Sequence, residues 1–252
     1  MVEVKLLAYT QFTPDLKHII PKDALEPEYV CAIAARTAIT NESIEKMLQI
    51  PTEKASRSIE KIIGYGHLSV VEHASFTFAI WDFSRIVSQQ LTRHRIASFT
   101  QRGQRYVKVK KPDVVTPPTI TDKPELKKLF DEAIMYSYKT YKQLLDAGIP
   151  KEDARFVLPN ATKTMLIMTM NARELLHFFN LRLCARAQWE IRELAFKMLE
   201  QVLEVAPTIF LHAGANCMIG KRCIEPNPPY DECRKMVRLV KELKAKYITR
   251  QK

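Results

Sequence analysis

The spacing of apolar residues divides the chain into alternating stretches and helical ones. Alternation of apolar and polar residues predicts strands at residues 1–9, 75–81 and 106–110, and an apolar run predicts another at residues 161–170. Apolar residues three and four positions apart predict a short helix after Pro150 and longer helices at residues 27–38, 42–64, 83–93, 124–147, 172–205 and 234–247. Residues 206–233 are rich in Pro, Gly and Cys, which is typical of a loop.

The mixture of these elements favours an α+β fold. Strands and helices follow one another without regular alternation, and we find neither an internal repeat nor a linker. We therefore expect a single mixed domain over residues 1–233, with a central sheet flanked by long helices. A basic C-terminal helix and tail would follow over residues 234–252.

Composition excludes several classes of protein. With 46% hydrophobic and 27% charged residues in 252, the chain is globular rather than disordered. It has neither of the two standard glycine-rich phosphate loops. No apolar stretch approaches about 18 residues, so we expect no membrane span. The start of the chain lacks a signal-peptide layout, and five cysteines favour a reducing compartment, so we expect a cytoplasmic location.

The net charge of +11 is concentrated at the C-terminus. Residues 234–252 hold eight Lys or Arg and one acidic residue. Such a run is usually a solvated helix face, so the charge alone is a weak argument for nucleic-acid binding.

The densest polar cluster lies between Arg93 and Arg105, where four arginines accompany His94. Planar guanidinium groups match phosphate oxygens two at a time, and glutamines such as Gln104 can bind the edge of a base. The cluster is either an exposed basic loop or a site for a nucleotide phosphate.

Two further polar segments permit both structural and functional interpretations. Ser69 and Glu72 have the spacing of a helix capping box, while the flanking His67 and His73 are too few for a metal site. In the predicted helix 172–205, Asn171 and Arg182 lie about 20° apart, and Arg173 and His177 lie on nearly the opposite side. This helix is therefore half solvated, with ordinary ion pairs, or shared between subunits.

Taken together, four motifs in register resemble the flavin-dependent thymidylate synthase family. The signature Arg-His-Arg matches residues 93–95, with Ser98, Arg105 and Tyr106 nearby. The upstream His-x-Ser-x-x-Glu-His matches residues 67–73 and the downstream Arg-x-x-Leu-Pro matches residues 155–159. The last motif matches Asn171, Arg173, Leu181, Arg182, Ala187, Gln188, Glu190 and Ile191. One departure is Gly103, which stands where the signature has serine, and Gln101 stands where many relatives have glutamate.

The resemblance implies an enzyme that makes dTMP from dUMP. Methylenetetrahydrofolate would supply the carbon and NADPH the electrons, through tightly bound FAD. It also implies a homotetramer with its sites at subunit interfaces. Arg182 would be catalytic, near the pyrimidine carbonyl. The implied dUMP residues are Gln90, Arg95, Gly103, Gln104, Arg105, Arg155 and Arg182. The implied FAD residues are His67, Ser69, Glu72, Arg93, His94, Asn171, Arg173 and His177.

Within this resemblance, two residues have less specific roles. His67 would also lie near the folate, and His94 would belong to the flavin environment or orient its loop.

Two other functions remain alternatives. Because a glycine cannot be a nucleophile, the chain could be a paralogue that binds FAD or nucleotide without synthase activity. From another class, it could be a basic nucleic-acid-binding protein, although we do not expect that partner.

The cysteines leave one question open. Cys217, Cys223 and Cys233 could join His212 in binding zinc, form a disulfide, or remain unligated thiols, and they lack a Cys-x-x-Cys pair. We assign no metal site from the sequence. Cys31 and Cys184 lie in apolar helical contexts and are expected in the core.

Overall fold

A computed structural model describes residues 2–248 of the chain. Residues 249–252, the end of the predicted basic tail, lie outside the described residues. The described strands form a four-stranded sheet in the order β1-β2-β4-β3. The strands are β1 (Glu3–Tyr9), β2 (Ser75–Ser84), β3 (Ala97–Gln101) and β4 (Lys163–Asn171).

Helices fill most of the remaining described chain. They are α1 (Glu26–Thr37), α2 (Ile44–Met47), α3 (Thr52–Gly64), α4 (Arg85–Leu91), α5 (Pro118–Thr121), α6 (Pro124–Asp146), α7 (Lys151–Ala154), α8 (Ala172–Arg182), α9 (Trp189–Val205), α10 (Pro207–Phe210) and α11 (Tyr230–Ile248). Short 3₁₀ helices cover Leu68–His73, Arg155–Val157 and Asn216–Met218. The predicted mixture of strands and helices is confirmed.

The described residues form two compact units. The smaller unit contains residues 2–3, 80–93 and 99–167, and the larger contains residues 4–79, 94–98 and 168–248. Both β2 and β4 run from one unit into the other.

Aromatic side chains form the core of the larger unit. The ring of Phe210 contacts Phe76 and Phe179 at centroid distances of 5.3 and 5.9 Å, and Phe179 contacts Phe178 at 5.5 Å. All four are fully buried. Burial of such large rings is the main apolar contribution to stability here. It also fixes α8, which carries several of the predicted site residues.

The core of the smaller unit lies beneath α4 and α6. Phe83, Val87 and Leu91 are fully buried at helical spacing from the end of β2 through α4. From α6, the buried Tyr141 accepts a hydrogen bond from the backbone N–H of Val109 at 3.3 Å. This bond ties the polar segment after β3 to the core of the unit.

The strand predicted at residues 106–110 is wrong. The N–H groups of Tyr106 and Val107 donate to the carbonyl of Gly103 at 3.4 and 3.1 Å, which makes a turn. Their side chains are exposed, so the alternation there does not reflect one buried face. The strand in this region is instead β3, inside the Arg-rich cluster.

Two predicted long helices are each divided. Residues 42–64 form α2 and α3, separated at Pro51, whose ring cannot continue a helix. Residues 172–205 form α8 and α9, separated by a turn at residues 183–188. The side chain of Gln188 accepts hydrogen bonds from the N–H groups of Glu190 and Ile191, at 3.0 and 3.1 Å. Gln188 therefore caps a new helix instead of lying inside a long one.

The terminal helix begins at Tyr230, four residues earlier than predicted. One face buries Met236, Val240 and Leu243. The buried ammonium of Lys244 donates to the carbonyl of Leu211 at 2.7 Å and to that of Ala213. Among the described helices, none is long and apolar enough to cross a lipid bilayer.

Candidate active site

A cleft of about 700 Å³ opens in the larger unit, beside the start of α8. Its walls come from the end of α3, the following 3₁₀ helix, α8 and residues 212–221. Four of the residues predicted to bind FAD line it: Glu72, Asn171, Arg173 and His177. Segments that are distant in sequence therefore meet at one cavity, as the resemblance implied.

An ion pair crosses this cleft. Nη1 of Arg173 lies 2.5 Å from Oε1 of Glu72, and both side chains are about half exposed. Glu72 thus points to Arg173 rather than back to its own helix start. The 3₁₀ helix that carries it begins after His67 and has no side-chain cap, so the capping-box interpretation of Ser69 and Glu72 is wrong.

Asn171 shapes the start of α8. Its side-chain oxygen accepts a hydrogen bond from the N–H of Glu174 at 2.9 Å, which is the usual role of an N-cap residue. The N–H of Ala172 in that turn donates to the carbonyl of Ala74 at 2.8 Å, and the first turn as a whole carries the partial positive charge of the helix. The cleft therefore has a helix N-terminus and a guanidinium on one wall, which suits an anionic group.

His94 is the buried centre of a polar chain. Its Nδ1 lies 2.9 Å from Oε1 of Glu174, and Nε of Arg182 donates to its Nε2 at 3.2 Å. Burial lowers the pKa of His94. The hydrogen bond that His94 donates to Glu174 opposes that shift, and the charge of Arg182 lowers the pKa further. His94 is therefore neutral, because its Nε2 must accept from Arg182 while Nδ1–H donates to Glu174.

Rings pack around this histidine. His94 contacts Phe178 at 5.1 Å and His177 at 5.7 Å, edge to face in both cases. Ligand atoms of His94, Glu174 and His177 lie within 4.8 Å of one another, a spacing that a metal ion could use. We assign none here, because both ring nitrogens of His94 already have partners and a cation lies beside it.

A second cavity, of about 300 Å³, lies within the smaller unit. Two of the residues predicted to bind dUMP, Gly103 and Gln104, line it. The other lining side chains are strongly cationic and include Arg85, Arg102, Lys108, Lys110, Lys111 and Lys163. Such an excess of positive charge favours a phosphate.

Arg85 is a residue of this cavity that the sequence did not single out. Its Nη1 is buried without a hydrogen-bond partner. Burial lowers the pKa of Arg85, and the nearby charge of Arg155 lowers it further. A buried guanidinium nitrogen without a partner, close to a second guanidinium, favours an anion. The only sequence signal is a cation at the first position of an amphipathic helix, which is common without function.

Other predicted dUMP residues are spread over both units. In the smaller unit, Arg105 pairs with Glu152 at 2.6 Å, and Nε of Arg155 donates to the carbonyl of Glu152 at 3.0 Å. Gln90 is half-buried in that unit, while Arg95 and Arg182 belong to the larger one.

Four predicted FAD residues do not line the cleft of the larger unit, and one of them is the buried His94. His67, Ser69 and Arg93 are exposed and lie outside its walls. His212, Asn180 and Lys221 do line it, although the FAD prediction omitted them.

Comparison with known proteins decides the family. Residues 22–208 match the family described as "Thymidylate synthase complementing protein". The chain belongs to this family. It is 43% identical over 240 residues to a flavin-dependent thymidylate synthase of Geobacter sulfurreducens, covering 94% of this chain and 98% of that protein. The flavin-dependent thymidylate synthases of Sulfolobus acidocaldarius (44%, 80% of this chain and 78% of that protein) and Clostridium tetani (39%, 87% and 89%) are also similar.

A solved structure shows the same fold. The chain of a UMP/dUMP methylase from Streptomyces cacaoi, bound with 5-Br dUMP, aligns with a TM-score of 0.69 at 24% identity. The alignment covers 84% of this chain and 93% of that one.

Within this family member, Gly103 has room for a larger residue. A Cβ atom built there would meet only Cδ2 of Tyr106, at 3.6 Å, which is an ordinary contact. The glycine is therefore not required by packing, and the departure from the signature concerns the chemistry of the site.

Proposed function

We infer that the chain is a flavin-dependent thymidylate synthase, which converts dUMP to dTMP with methylenetetrahydrofolate as carbon donor and NADPH-reduced FAD as reductant. Family membership together with the cleft at the start of α8 supports this function. The observation that carries it is the convergence of Glu72, Asn171, Arg173 and His177 on that one cleft.

The donor set of this cleft fits a flavin dinucleotide. The guanidinium of Arg173 and the first turn of α8 suit a pyrophosphate, while the amide of Asn171 and the imidazole of His177 suit hydrogen bonds to rings or ribose. FAD supplies the hydride chemistry when bound, and the protein supplies position and field. We propose that His67, Ser69 and Arg93 complete this binding set, and that His94 belongs to the flavin environment by orienting its neighbours.

We propose that Arg182 acts on the pyrimidine. A guanidinium near a carbonyl of uracil stabilises the negative charge that develops as C5 becomes nucleophilic. Arg182 is held by His94, and His94 by Glu174, so its direction is fixed before substrate arrives. Such preorganisation lowers the barrier because little reorientation is needed during the reaction.

We propose that the cationic cavity of the smaller unit binds the dUMP phosphate. Gly103 and Gln104, which line it, would offer backbone N–H groups. Arg155, whose charge acts on Arg85, and Arg105 do not line it but would add guanidinium groups from nearby. The unpartnered Nη1 of Arg85 makes this residue a further phosphate ligand. Gln90 and Arg95 complete the proposed set.

We also propose that the enzyme is a cytoplasmic homotetramer with its sites at subunit interfaces. The support is the family resemblance, together with cleft residues that remain exposed in a single chain.

The test is release of tritium from dUMP labelled at C5, with FAD, NADPH and methylenetetrahydrofolate present. The synthase must release tritium and form dTMP, and omitting the folate must stop dTMP formation. The absorbance spectrum of the purified protein should show flavin bands, if necessary after incubation with excess FAD.

The same experiment separates the alternatives. A protein that binds FAD and dUMP but forms no dTMP would be the inactive paralogue, as Gly103 allows. A protein without flavin bands that binds RNA or DNA with a steep salt dependence would be a nucleic-acid-binding protein.

A further inference from the structure

Four of the five cysteines lie on three segments of the larger unit that meet beside the α8–α9 turn. Cys184 lies in that turn, Cys217 and Cys223 lie in residues 211–229, and Cys233 lies in the first turn of α11. Cys184 is half-buried in a turn, so its expected place in the apolar core is wrong, whereas Cys31 is fully buried as expected.

Contacts between neighbours of these cysteines hold the segments together. Two positions after Cys184, Nε of Arg186 lies 3.6 Å from Oε2 of Glu225, itself two positions after Cys223. The guanidinium of Arg192 donates to the carbonyl of Ala185 at 2.5 Å and lies 4.0 Å from Oε2 of Glu232.

The segment of Cys217 is fixed in a similar way. Asn180 of α8 donates to Oδ1 of Asn216 at 2.8 Å and to the carbonyl of Gly214 at 3.2 Å. At the other end of the segment, the N–H of Cys233 donates to the carbonyl of Pro229 at 2.9 Å. A residue within two positions of each of the four cysteines therefore contacts α8, α9, the turn between them or residues 211–229.

The thiols themselves are electrostatic neighbours. Burial raises the pKa of Cys233, and the charges of Cys184, Cys217 and Cys223 raise it further. Burial likewise raises the pKa of Cys217, and the charges of Cys223 and then Cys184 raise it further. His212 is not part of this group, because it faces the cleft, where burial and then Lys244 lower its pKa.

We propose that Cys184, Cys217, Cys223 and Cys233 form a tetrathiolate site for a zinc ion. Zn²⁺ binds four thiolates in a tetrahedron at about 2.3 Å, and each thiol releases its proton on binding. The bound cluster carries a net charge of −2.

The local structure explains what the ion would contribute. Residues 221–229 form neither helix nor strand, and Ile224 within them is 77% exposed, so apolar packing does not hold this segment. Among the described residues, ligand atoms within 4.8 Å of one another occur at the His94 group and not at these sulfurs. Zinc binding must therefore bring residues 221–229 closer to the other cysteines, and the bound ion then stabilises this irregular segment.

The first experiment measures metal in the full-length protein with its FAD. The protein is purified under a phosphine reductant, stripped with a chelator, and given Zn²⁺ or Co²⁺ alone. We expect one tightly bound ion per chain, and visible Co²⁺ bands typical of four thiolates at wavelengths beyond the flavin absorption. Weak or fractional binding, or a Co²⁺ spectrum of oxygen and nitrogen ligands, would overturn the proposal.

Variants assign the ligands. Cys217→Ser and Cys223→Ser should each lose stoichiometric zinc, whereas Cys31→Ala, the matched control outside the cluster, should keep it. Thiol titration of the native parent should show the four cysteines protected by Zn²⁺ and released by chelator. If instead unreduced protein lacks zinc and is lighter by two hydrogens per cysteine pair, the cluster forms disulfides and the zinc site is refuted.

The Co²⁺ spectrum of the parent decides the question even if a variant fails to fold. These readouts do not depend on dTMP formation, so a failure of the proposed function and a failure of the zinc site are distinguishable.

Discussion

Arg182 is aimed by two buried residues. Glu174 is the acceptor for Nδ1–H of His94, and His94 accepts from Nε of Arg182. The motif match placed His94 near the flavin or its loop, but only the structure shows that its neutral ring connects Glu174 to the proposed catalytic arginine. The proposed roles at this site can be tested separately.

Arg182→Ala should damage dUMP-dependent turnover more than FAD retention. It removes a cation proposed at the pyrimidine, at a cost on the order of 2–4 kcal/mol of transition-state stabilisation. The measurements are kcat/KM for dTMP formation and flavin content. The control is Arg57→Ala, an exposed arginine paired with Glu53. Equal turnover in Arg182→Ala and the parent would refute the role.

Glu174→Gln should slow turnover and move the acid limb of the pH–rate profile to lower pH. Burial lowers the pKa of His94, and its hydrogen bond to the Glu174 carboxylate raises it. Removing the charge of Glu174 therefore lowers the pKa of His94 further. A neutral His94 would then persist to lower pH. A purely structural role of Glu174 would reduce the rate with no shift of the acid limb.

Gly103→Ser should be tolerated and should tighten dUMP binding. A Cβ atom at this position would lie 3.6 Å from Cδ2 of Tyr106, which leaves room for the side chain. One added hydroxyl contact is worth roughly 0.5–1.5 kcal/mol, or about two- to tenfold in affinity. The parent should already form dTMP, because a reaction in which bound FAD supplies the reducing equivalent directly to the nucleotide requires no serine nucleophile. If only the variant forms dTMP, serine is essential to the chemistry and the paralogue hypothesis is favoured.

At the scale of elements, a buried carboxylate joins α1 to α10. Glu28 of α1 accepts hydrogen bonds from the N–H groups of Thr208 and Ile209, at 2.5 and 3.4 Å, in the first turn of α10. Burial raises the pKa of Glu28 to about 7, although these hydrogen bonds oppose the shift. The helix contact therefore titrates close to neutral pH.

Glu28→Gln should change how stability depends on pH. Between pH 4.5 and about 7 the folded state binds more protons at Glu28 than the unfolded state, so this group lowers stability as pH rises through that window. Glutamine keeps an acceptor without the charge. The melting temperature of the variant relative to the parent should therefore rise from about pH 5 to about pH 8. A difference that is constant with pH would contradict this.

The divided helix 172–205 shows what element patterns miss. Apolar spacing continues through residues 183–188, and that stretch contains neither proline nor glycine. Local hydrogen bonds accompany the break: the carbonyl of Ala185 accepts from Arg192, and the side chain of Gln188 caps α9. Because the break places Cys184 in a turn and Arg182 at a helix end, it decides both the proposed zinc site and the proposed catalytic residue.

For the whole molecule, the basic C-terminus is partly structural. One face of α11 is buried, and Lys244, counted among its cations, is sequestered with a pKa that burial lowers to about 8. The remaining described cations of this helix lie mainly on its exposed face. This arrangement favours the solvated-face interpretation of the charge over a nucleic-acid surface.

The assembled protein should be a homotetramer. Light scattering under native conditions should give four times the chain mass of 29.1 kDa. The physical reason is that half-exposed groups such as Arg173 and Glu72 line a cleft that a second subunit would cover. A native mass of one chain would contradict both the tetramer and the proposed interface sites.

The sequence by itself determined the family, the mixture of strands and helices, and two of the segments that line the cleft. A linear pattern can reveal motifs whose residues have fixed local spacings. These are Arg-His-Arg, the segment from His67 to His73, and Asn171 with Arg173. Helix and strand periodicity predicted β4 and α6 for the same reason, since each depends on neighbours along the chain.

Only the tertiary structure decided which of these groups touch. The links from Glu174 to Arg182, the buried Nη1 of Arg85, and the ion pair of Arg186 with Glu225 arise when distant segments pack together. No periodicity records such contacts, because burial and pairing between distant segments are properties of the packed chain and not of local spacing.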